Sequence, residues 1–349
     1  MKLILENGMV FKGTSFGSNK KQIGELCFAT SMVGYQDILS DPSYFGKIVC
    51  MSYPLIGNYG LSDDDYDSKN IHVRGYVVKE NNNLPSNFRS TRVLSDAMEE
   101  NKVTGIEGID TREIVKFLRD NGLVKAMITD DSDDEIACIE ELKNYQEESD
   151  PIAKVSCKKV WYSRTSNPIK NIVIVDLGLK SSMVKFLNKF GINVTVVPYN
   201  YSLEQISKYK PNGIIISHGP GNPNNYSNII SLINNIKGKY PLLGLGLGSE
   251  LIALSYGCVV NKMKHGHQGS NFPIRNILTN KIEIGSQNHF YSISLNGCKE
   301  LIATHENVLD KDVEGFIDNQ NKVIGIQYII QETLNDDDNI IYQFIKMMK

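Results

Sequence analysis

The stretch PLLGLGLGSEL, at positions 241–251, predicts a buried strand, a tight glycine turn and then a helix. Enzymes that use such a strand-turn-helix elbow place a nucleophilic side chain at its tip, where the sharp turn exposes it. The tip residue here is Gly246, which has no side chain. The elbow therefore indicates an α/β fold and lacks the atom that would attack a substrate.

Short apolar runs alternate with amphipathic stretches on both sides of the elbow, a pattern typical of a parallel sheet covered on both faces. The predicted strands are residues 172–176, 194–197, 213–217 and 242–245, and the predicted helices include residues 182–190 and 249–256. Ligands of such sheets bind beyond the carboxyl ends of the strands. The glycine turn at residues 219–221 and the elbow both follow strands, so we expect them to meet at one site.

The first half of the chain has a different texture, with short strands separated by turn signals. A helix is predicted at residues 111–121, opened by Asp110 and closed by Gly122, and the acidic run 130–135 predicts the start of another. Residues 151–170 are polar, contain two prolines and predict a linker. We therefore expect one domain at residues 1–150 and a second at 171–349.

Composition excludes several classes of protein. The 349 residues are 41% hydrophobic and 22% charged, as in soluble globular proteins, and the net charge of -3 without a basic stripe argues against nucleic-acid binding. No apolar run is long enough to cross a membrane, and the first residues become polar too early for a signal peptide. Six scattered cysteines predict reduced thiols in a cytoplasmic protein, with neither a disulfide framework nor a zinc site.

The glycine turns allow more than one interpretation. The spacing of Gly244, Gly246 and Ser249 loosely matches a dinucleotide fingerprint, but the acidic residue that such a fold places about 20 positions later is missing. A tight turn that packs strand against helix needs no function. The turn at residues 219–221 offers backbone N–H groups to a carboxylate or an oxyanion, or is a plain turn.

The histidines and the last acidic cluster also have ordinary alternatives. His289 is a candidate general base, although a lone histidine is more often a structural hydrogen-bonding residue. His265 and His267 are spaced like a metal pair, but no third ligand is suggested nearby, so no metal site is predicted. The acids at positions 336–338 predict a solvated helix start.

Together these segments resemble a known family. The second half is similar to class I glutamine amidotransferases, and the first half narrows the resemblance to the small subunits of carbamoyl-phosphate synthases. The matching stretches are residues 24–28, 30–39, 41–44, 53–58, 85–89, 108–112, 217–223, 244–250, 262–271 and 286–289. The resemblance covers nearly the whole chain. It implies a mixed α/β N-terminal domain followed by a flavodoxin-like domain with a mostly parallel sheet.

The resemblance also implies a reaction and a partner. In this family a cysteine at the elbow attacks the side-chain amide of glutamine, a histidine accepts the cysteine proton, and a glutamate two residues further on orients the histidine. The ammonia passes to a large subunit, which makes carbamoyl phosphate for pyrimidine and arginine synthesis. The resemblance places ATP and Mg²⁺ on that partner and no cofactor on this chain.

The chain departs from the family at all three catalytic positions. Gly246 stands at the cysteine position, Ile329 at the histidine position and Gln331 at the glutamate position. A covalent mechanism needs an activated thiolate and a base, so we expect no glutaminase activity. His289 matches a different family histidine beside the pocket. Cys258 is interpreted as a small core thiol and Ser249 has no evident base, so neither replaces the catalytic cysteine.

The glutamine pocket is changed as well. Glu250 replaces a family glutamine, which puts a carboxylate near the place of the substrate α-carboxylate. The adjoining pair Phe290 and Tyr291 replaces glycine and phenylalanine, and we expect the larger Phe290 to intrude. Weak or absent glutamine binding is therefore predicted. The family ligand positions that survive are Ser43, Gly219, Gly221, Leu247 and Asn288.

Elbow nucleophiles are held at a positive φ angle, which glycine adopts freely. The change from cysteine to glycine is therefore predicted to remove about 1–3 kcal/mol of backbone strain. We expect a small subunit that docks on a large subunit and leaves the complex to use free ammonia. Two alternatives remain open: an active glutaminase with unorthodox residues, and a free-standing pseudoenzyme that binds a metabolite.

Overall fold

The computed structural model describes residues 1–330 and 340–348, and the chain forms two compact units, Met1–Pro151 and Ile152–Lys349. The acids at 336–338, predicted to begin a helix, and Gln331 lie outside the described residues. Within those residues, no helix combines the length and apolar character needed to cross a membrane.

The first unit is built on a mixed sheet with the strand order β2-β1-β10-β4-β5-β7-β9-β3. Strands β4, β5, β7 and β9 are parallel, and the other pairs of this sheet are antiparallel. A short parallel pair, β6 and β8, lies outside it. The strands are β1 (Lys2–Leu5), β2 (Val10–Lys12), β3 (Thr14–Gly17), β4 (Gln22–Ala29), β5 (Ile48–Met51), β6 (Leu55–Ile56), β7 (Gly75–Val77), β8 (Glu80–Asn81), β9 (Thr104–Glu107) and β10 (Val124–Thr129).

Two of the four α-helices of the first unit begin at an aspartate whose side chain caps them. The helices are α1 (Tyr35–Ser40), α2 (Leu94–Glu100), α3 (Thr111–Asn121) and α4 (Glu135–Asn144). At α3 the Oδ1 atom of Asp110 accepts from the backbone N–H groups of Arg112 and Glu113, at 3.1 and 3.2 Å. These bonds satisfy N–H groups that have no partner inside the helix. The predicted bounds of this helix are confirmed.

The second unit contains strands β11 (Trp161–Ser163), β12 (Lys170–Asp176), β13 (Ile192–Pro198), β14 (Gly213–Ile216), β15 (Leu242–Leu245), β16 (Val259–Asn276), β17 (Ile282–Ser294), β18 (Ile302–Asn307), β19 (Val313–Asp318) and β20 (Val323–Ile326). Its helices are α5 (Ile152–Val155), α6 (Ser181–Lys189), α7 (Leu203–Ser207), α8 (Ser227–Ile236), α9 (Leu247–Ser255) and α10 (Ile340–Met347). The strand order in its sheet is β11-β13-β12-β14-β15-β20-β19-β18-β16-β17.

The middle of this sheet is parallel, as predicted. Strands β13, β12, β14, β15 and β20 run in the same direction, whereas β11, β19, β18, β16 and β17 pair antiparallel. The sequence analysis did not foresee this antiparallel extension. Its strands carry many polar residues and therefore lack the continuous apolar runs of the parallel strands.

Side chains of the parallel strands alternate between two cores. Val173 and Val175 of β12 belong to one cluster, together with residues of α8 and α9. Ile172 and Ile174 of the same strand belong to a second cluster, together with residues of α6 and α10. Because successive side chains of a strand point to opposite faces, the sheet is covered on both sides. This arrangement places the carboxyl ends of β14 and β15 side by side.

Residues 151–170 differ from the linker that the sequence predicted. They contain helix α5 and strand β11, and Trp161–Ser163 pairs with β13 at the edge of the large sheet. Most of this polar stretch is therefore part of the second unit.

The expectation of reduced thiols is wrong for one pair of cysteines. The structure joins Cys258 and Cys298 in a disulfide, across 40 residues of chain. Both residues are buried, and they connect the turn after α9 to the turn after β17. Cys258 is therefore a buried core residue, as predicted, but not a free thiol. The free cysteines are Cys27, Cys50, Cys138 and Cys157.

Candidate functional site at the elbow

The elbow has the backbone geometry that the sequence predicted. Gly246 lies between β15 and α9 with φ 51° and ψ -117°. Its N–H donates to the carbonyl of Ile326 at 2.8 Å, and its carbonyl accepts from the backbone N–H groups of Ser249 and Glu250. The predicted positive φ is confirmed, and residues with a Cβ atom rarely adopt it.

The space beside Gly246 contains an imidazole ring. A Cβ atom at position 246 would lie 2.9 Å from Cδ2 of His218, closer than nonbonded carbon atoms approach. His218 follows β14 and is 5% exposed. The elbow tip therefore lacks a nucleophile, and a side chain introduced there would require the imidazole ring to shift. The sequence analysis did not single out His218, because it looked like one residue of an ordinary glycine turn.

The two glycine turns lie side by side, as predicted. A Cβ atom at Gly248 would lie 2.2 Å from the carbonyl oxygen of Ile216, the last residue of β14. At Gly219 it would lie 2.2 Å from the carbonyl oxygen of Leu177. Gly221 has φ 105°, so its backbone also favours glycine. Glycine therefore allows backbone segments to meet closely at the carboxyl ends of the strands.

Ile329, which stands at the position of the family's catalytic histidine, has an apolar side chain. The backbone N–H of Ile329 donates to the carbonyl of Ser286 at 2.8 Å. The side chain of Ile329 lines a small cavity of about 40 Å³, together with Ile330, Phe186 and His218 among others. A hydrocarbon side chain cannot accept a proton, so position 329 cannot serve as the base.

Ser249 is held by two acceptors. Its hydroxyl oxygen lies 2.7 Å from the Gly246 carbonyl and 2.8 Å from Oε1 of Gln327, which share its single proton. Nε2 of Gln327 donates to the carbonyl of Tyr291 at 3.0 Å. Neither carbonyl oxygen is a base strong enough to activate an alcohol. That Ser249 has no base able to activate it stays a prediction.

Glu250 is buried beside Gln327 and is only 3% exposed. Burial raises the pKa of its carboxyl group to about 7, against the opposing effects of His289 and Gln327. Its Oε1 atom lies 3.5 Å from Nε2 of Gln327. Burial therefore favours the neutral form of the Glu250 carboxyl group, so the repulsion expected toward a ligand carboxylate is weaker than a full negative charge implies.

Each of the remaining residues that the sequence predicts to bind a ligand lies within its own unit. Leu247 is buried in the first turn of α9. Asn288, Phe290 and Tyr291 lie on β17 and are half-buried. Whether Phe290 intrudes on a ligand stays a prediction. Ser43 belongs to the first unit, where it is 7% exposed and its backbone N–H donates to Oδ1 of Asp41 at 2.9 Å.

His289 lies in a group of buried ionisable residues that the sequence analysis missed. Its Nδ1 atom is 2.9 Å from the carbonyl oxygen of Tyr291, and its Nε2 atom is 3.4 Å from Oε1 of Glu314. His267 also approaches Glu314, whereas His265 is not one of the potential metal ligands. Glu314 lies on β19, far along the chain, so residue spacing carried no signal of this contact.

Comparisons with known proteins match both halves of the chain. The family model described as "Carbamoyl-phosphate synthase small chain, CPSase domain" matches residues 3–128, and "Glutamine amidotransferase class-I" matches residues 173–328. The carbamoyl phosphate synthase pyrimidine-specific small chain of Bacillus subtilis is 39% identical over 350 residues, covering 100% of this chain and 96% of its own.

A second small chain also matches nearly the whole sequence. The carbamoyl phosphate synthase small chain of Bacillus caldolyticus is 41% identical over 330 residues, which cover 94% of this chain and 90% of its own. Among solved structures, a glutamine amidotransferase from Thermotoga maritima is similar with a TM-score of 0.37 and 18% identity, covering 46% of this chain and 76% of its own.

Proposed function

Since this chain belongs to the family of carbamoyl-phosphate synthase small chains, we propose that it serves as a small subunit without glutaminase activity. It docks on a large subunit, as the family implies, and the large subunit carries the steps that use ATP and Mg²⁺. The assembled enzyme makes carbamoyl phosphate from free ammonia. This chain then contributes structure and regulation to the complex.

One observation supports the loss of activity above all others. Gly246 stands at the elbow tip with φ 51°, and the ring of His218 lies 2.9 Å from the place of a Cβ atom. Hydrolysis of an amide by this route begins when a nucleophilic side chain forms a bond to the amide carbon. No such atom can be supplied at position 246 by the residue present.

The surroundings of the tip support the same proposal. A covalent route also needs a base within hydrogen-bond reach of the nucleophile. Ile329 offers a hydrocarbon side chain, and the Ser249 hydroxyl is shared between two carbonyl oxygens. Loss of every member of a triad leaves only the residual catalysis that binding and oxyanion contacts give.

The test is carbamoyl phosphate synthesis by the full chain purified with its large subunit. We expect synthesis with ammonium chloride as the nitrogen source and none with glutamine. Glutamate release should equal that of the large subunit alone. A glutamine-hydrolysing small chain of the family, assembled with the same large subunit, provides the positive control.

Three results would contradict the proposal. Glutamate release above the large-subunit background would show that unorthodox residues catalyse the hydrolysis. A covalent γ-glutamyl adduct on this chain, detected by mass spectrometry of the protein quenched during turnover, would locate the nucleophile. Failure of the two chains to co-elute in size-exclusion chromatography would instead favour a free-standing binding protein.

A further inference from the structure

We propose that His267, His289 and Glu314 bind one divalent transition-metal cation, with zinc as the best fit. The site is independent of the elbow chemistry and of the proposed loss of glutaminase activity. It lies in the antiparallel part of the second unit's sheet.

Three strands bring these residues together. His267 on β16 and His289 on β17 are direct partners in the antiparallel ladder, and Glu314 lies on β19. They are 5%, 4% and 0% exposed, and one ligand atom from each lies within 4.8 Å of the others. The two imidazole rings meet edge to face, with centroids 5.1 Å apart. The cluster is therefore compact and fixed by strand pairing.

The distances match the geometry of a tetrahedral metal site. Ligand atoms about 2.1 Å from a zinc ion, at a tetrahedral angle, lie roughly 3.4 Å from each other. Oε1 of Glu314 lies 3.4 Å from Nε2 of His289 and 3.6 Å from Nδ1 of His267. These separations are long for hydrogen bonds and suit two ligands that share one cation.

The second ring nitrogen of each histidine already has an acceptor. Nδ1 of His289 lies 2.9 Å from the Tyr291 carbonyl, which can only accept, so Nδ1 carries the proton. Nε2 of His267 lies 2.7 Å from Oδ2 of Asp310. In the neutral rings the lone pairs then lie on the nitrogens nearest Glu314. Histidines that bind metals commonly donate their other N–H to a carboxylate or a carbonyl in this way.

The carboxylate between the rings lacks hydrogen bonds of good geometry. Within the described residues, the two carboxylate oxygens of Glu314 have no hydrogen-bond partner. The same holds for Nε2 of His289. A buried carboxylate needs a positive charge or donors nearby, because burial removes its hydration. Nδ2 of Asn307 lies 3.4 Å from Nδ1 of His267, which is long for a hydrogen bond. A bound cation would replace this weak contact.

Protons are the competing occupants of the cluster. Although burial alone lowers it, the carboxylates of Asp310 and Glu314 raise the pKa of His267 to about 9. Glu314 also raises the pKa of His289, again against the effect of burial. Two imidazolium ions would balance the two carboxylates, and so would one divalent cation bound to neutral rings.

The ligand set selects the class of cation. Two imidazole nitrogens and one carboxylate oxygen suit Zn²⁺ and related transition metals. Mg²⁺ and Ca²⁺ prefer oxygen ligands in sets of six or more. A site with three protein ligands leaves the fourth position to water or a neighbouring group.

The test is metal binding by the full-length protein. After chelator treatment and dialysis against Zn²⁺, we expect one zinc per chain by elemental mass spectrometry, and a higher melting temperature with Zn²⁺ than with Mg²⁺. Glu314→Gln should lose the bound zinc and the zinc-dependent rise in melting temperature. His265→Gln, which alters a nearby histidine outside the cluster, should keep both.

The outcomes separate a metal site from a proton-filled cluster. If the folded parent retains no zinc and melts at the same temperature with either cation, the cluster holds protons and the proposal is wrong. If Glu314→Gln does not fold, His289→Gln provides the second variant. Equal zinc retention by the parent and both ligand variants would show surface binding and overturn the assignment. None of these outcomes depends on glutamine hydrolysis.

Discussion

At the residue scale, Gly246 and His218 act as a pair. The backbone at Gly246 has a positive φ that glycine adopts without steric cost, and the imidazole of His218 lies where a larger residue would extend. A cysteine at this position would face two separate penalties. One is backbone strain, and the other is contact with the ring. Both affect stability as well as chemistry, so they can be measured without an activity assay.

Gly246→Cys is expected to destabilise the protein. Positive-φ strain costs on the order of 1–3 kcal/mol for a residue with a Cβ atom, and contact with the ring of His218 adds to it. The free energy of unfolding, measured by urea denaturation of the parent and the variant, should fall by at least that amount. Equal or greater stability of the variant would contradict this account.

A double-mutant cycle separates the two penalties. His218→Ala removes the ring, so the cost of Gly246→Cys should be smaller in the His218→Ala background than in the parent. Only the backbone term should remain. The same cost in both backgrounds would show that the ring moves aside freely.

Glu250→Gln should change how stability depends on pH. The carboxyl group has a pKa of about 7 in the folded protein, raised by burial, against an ordinary value of 4.5. The folded state therefore keeps a proton between these values that the unfolded state releases, and its stability falls as pH rises through this window. Glutamine does not titrate, so the variant should gain on the parent by up to about 3 kcal/mol between about pH 5 and 8.

Denaturation at several pH values provides the measurement. The exposed Glu140 of α4 offers a matched control, Glu140→Gln, for the loss of one carboxylate. A difference between Glu250→Gln and the parent that stays constant with pH would show that the buried carboxyl is ionised throughout.

The sequence predicts a site residue when the identity of that residue is enough to show its role, and not when the role depends on contacts with distant parts of the chain. Gly246 and Ile329 could be interpreted from their own identities, because each replaces a group that the family reaction requires. The roles of His218 and Glu314 could not be predicted this way. Both depend on contacts between strands distant in the chain, which residue spacing does not encode.

At the element scale, the aspartate that caps helix α3 stabilises the beginning of that helix. Asp110→Ala should destabilise the first unit by about 1 kcal/mol, because two backbone N–H groups at the start of α3 lose their acceptor. Asp120→Ala removes an exposed aspartate near the other end of α3 and should have little effect. Urea denaturation monitored by circular dichroism would test both, and an equal loss in the two variants would contradict the capping role.

The elements that the sequence predicted well have strong local signals. Helix α3 has a cap, an amphipathic face and a terminating glycine, so its bounds match the prediction. The central strands are nearly pure apolar runs. Strands β16 and β17 were missed because polar residues interrupt them throughout, so neither strand contains a continuous apolar run. Strand β11, with only three residues, is too short to show a period.

At the scale of the whole molecule, the last helix completes one of the two cores of the second unit. Phe344 of α10 is fully buried, and its ring lies 2.9 Å from the place of a Cβ atom at Gly213 on β14. Phe344→Ala should therefore lower the free energy of unfolding by about 3–5 kcal/mol. Tyr342→Ala, at a residue that is 39% exposed, provides the control on the same helix.

Thermal or chemical denaturation of the two variants would check this expectation. A small effect of Phe344→Ala would show that α10 is not required for the core. The expected large decrease in the free energy of unfolding would show that α10, which follows residues 331–339, belongs to the folded unit.

The crowded tip at Gly246 also bears on whether a nucleophile can be introduced there by substitution. A cysteine introduced there alone meets the ring of His218, so that one change would first weaken the protein. Removing the ring without the cysteine supplies no nucleophile. We therefore expect that introducing a nucleophile at the tip without loss of stability needs a second substitution at position 218, because the ring and a Cβ atom at position 246 compete for the same space.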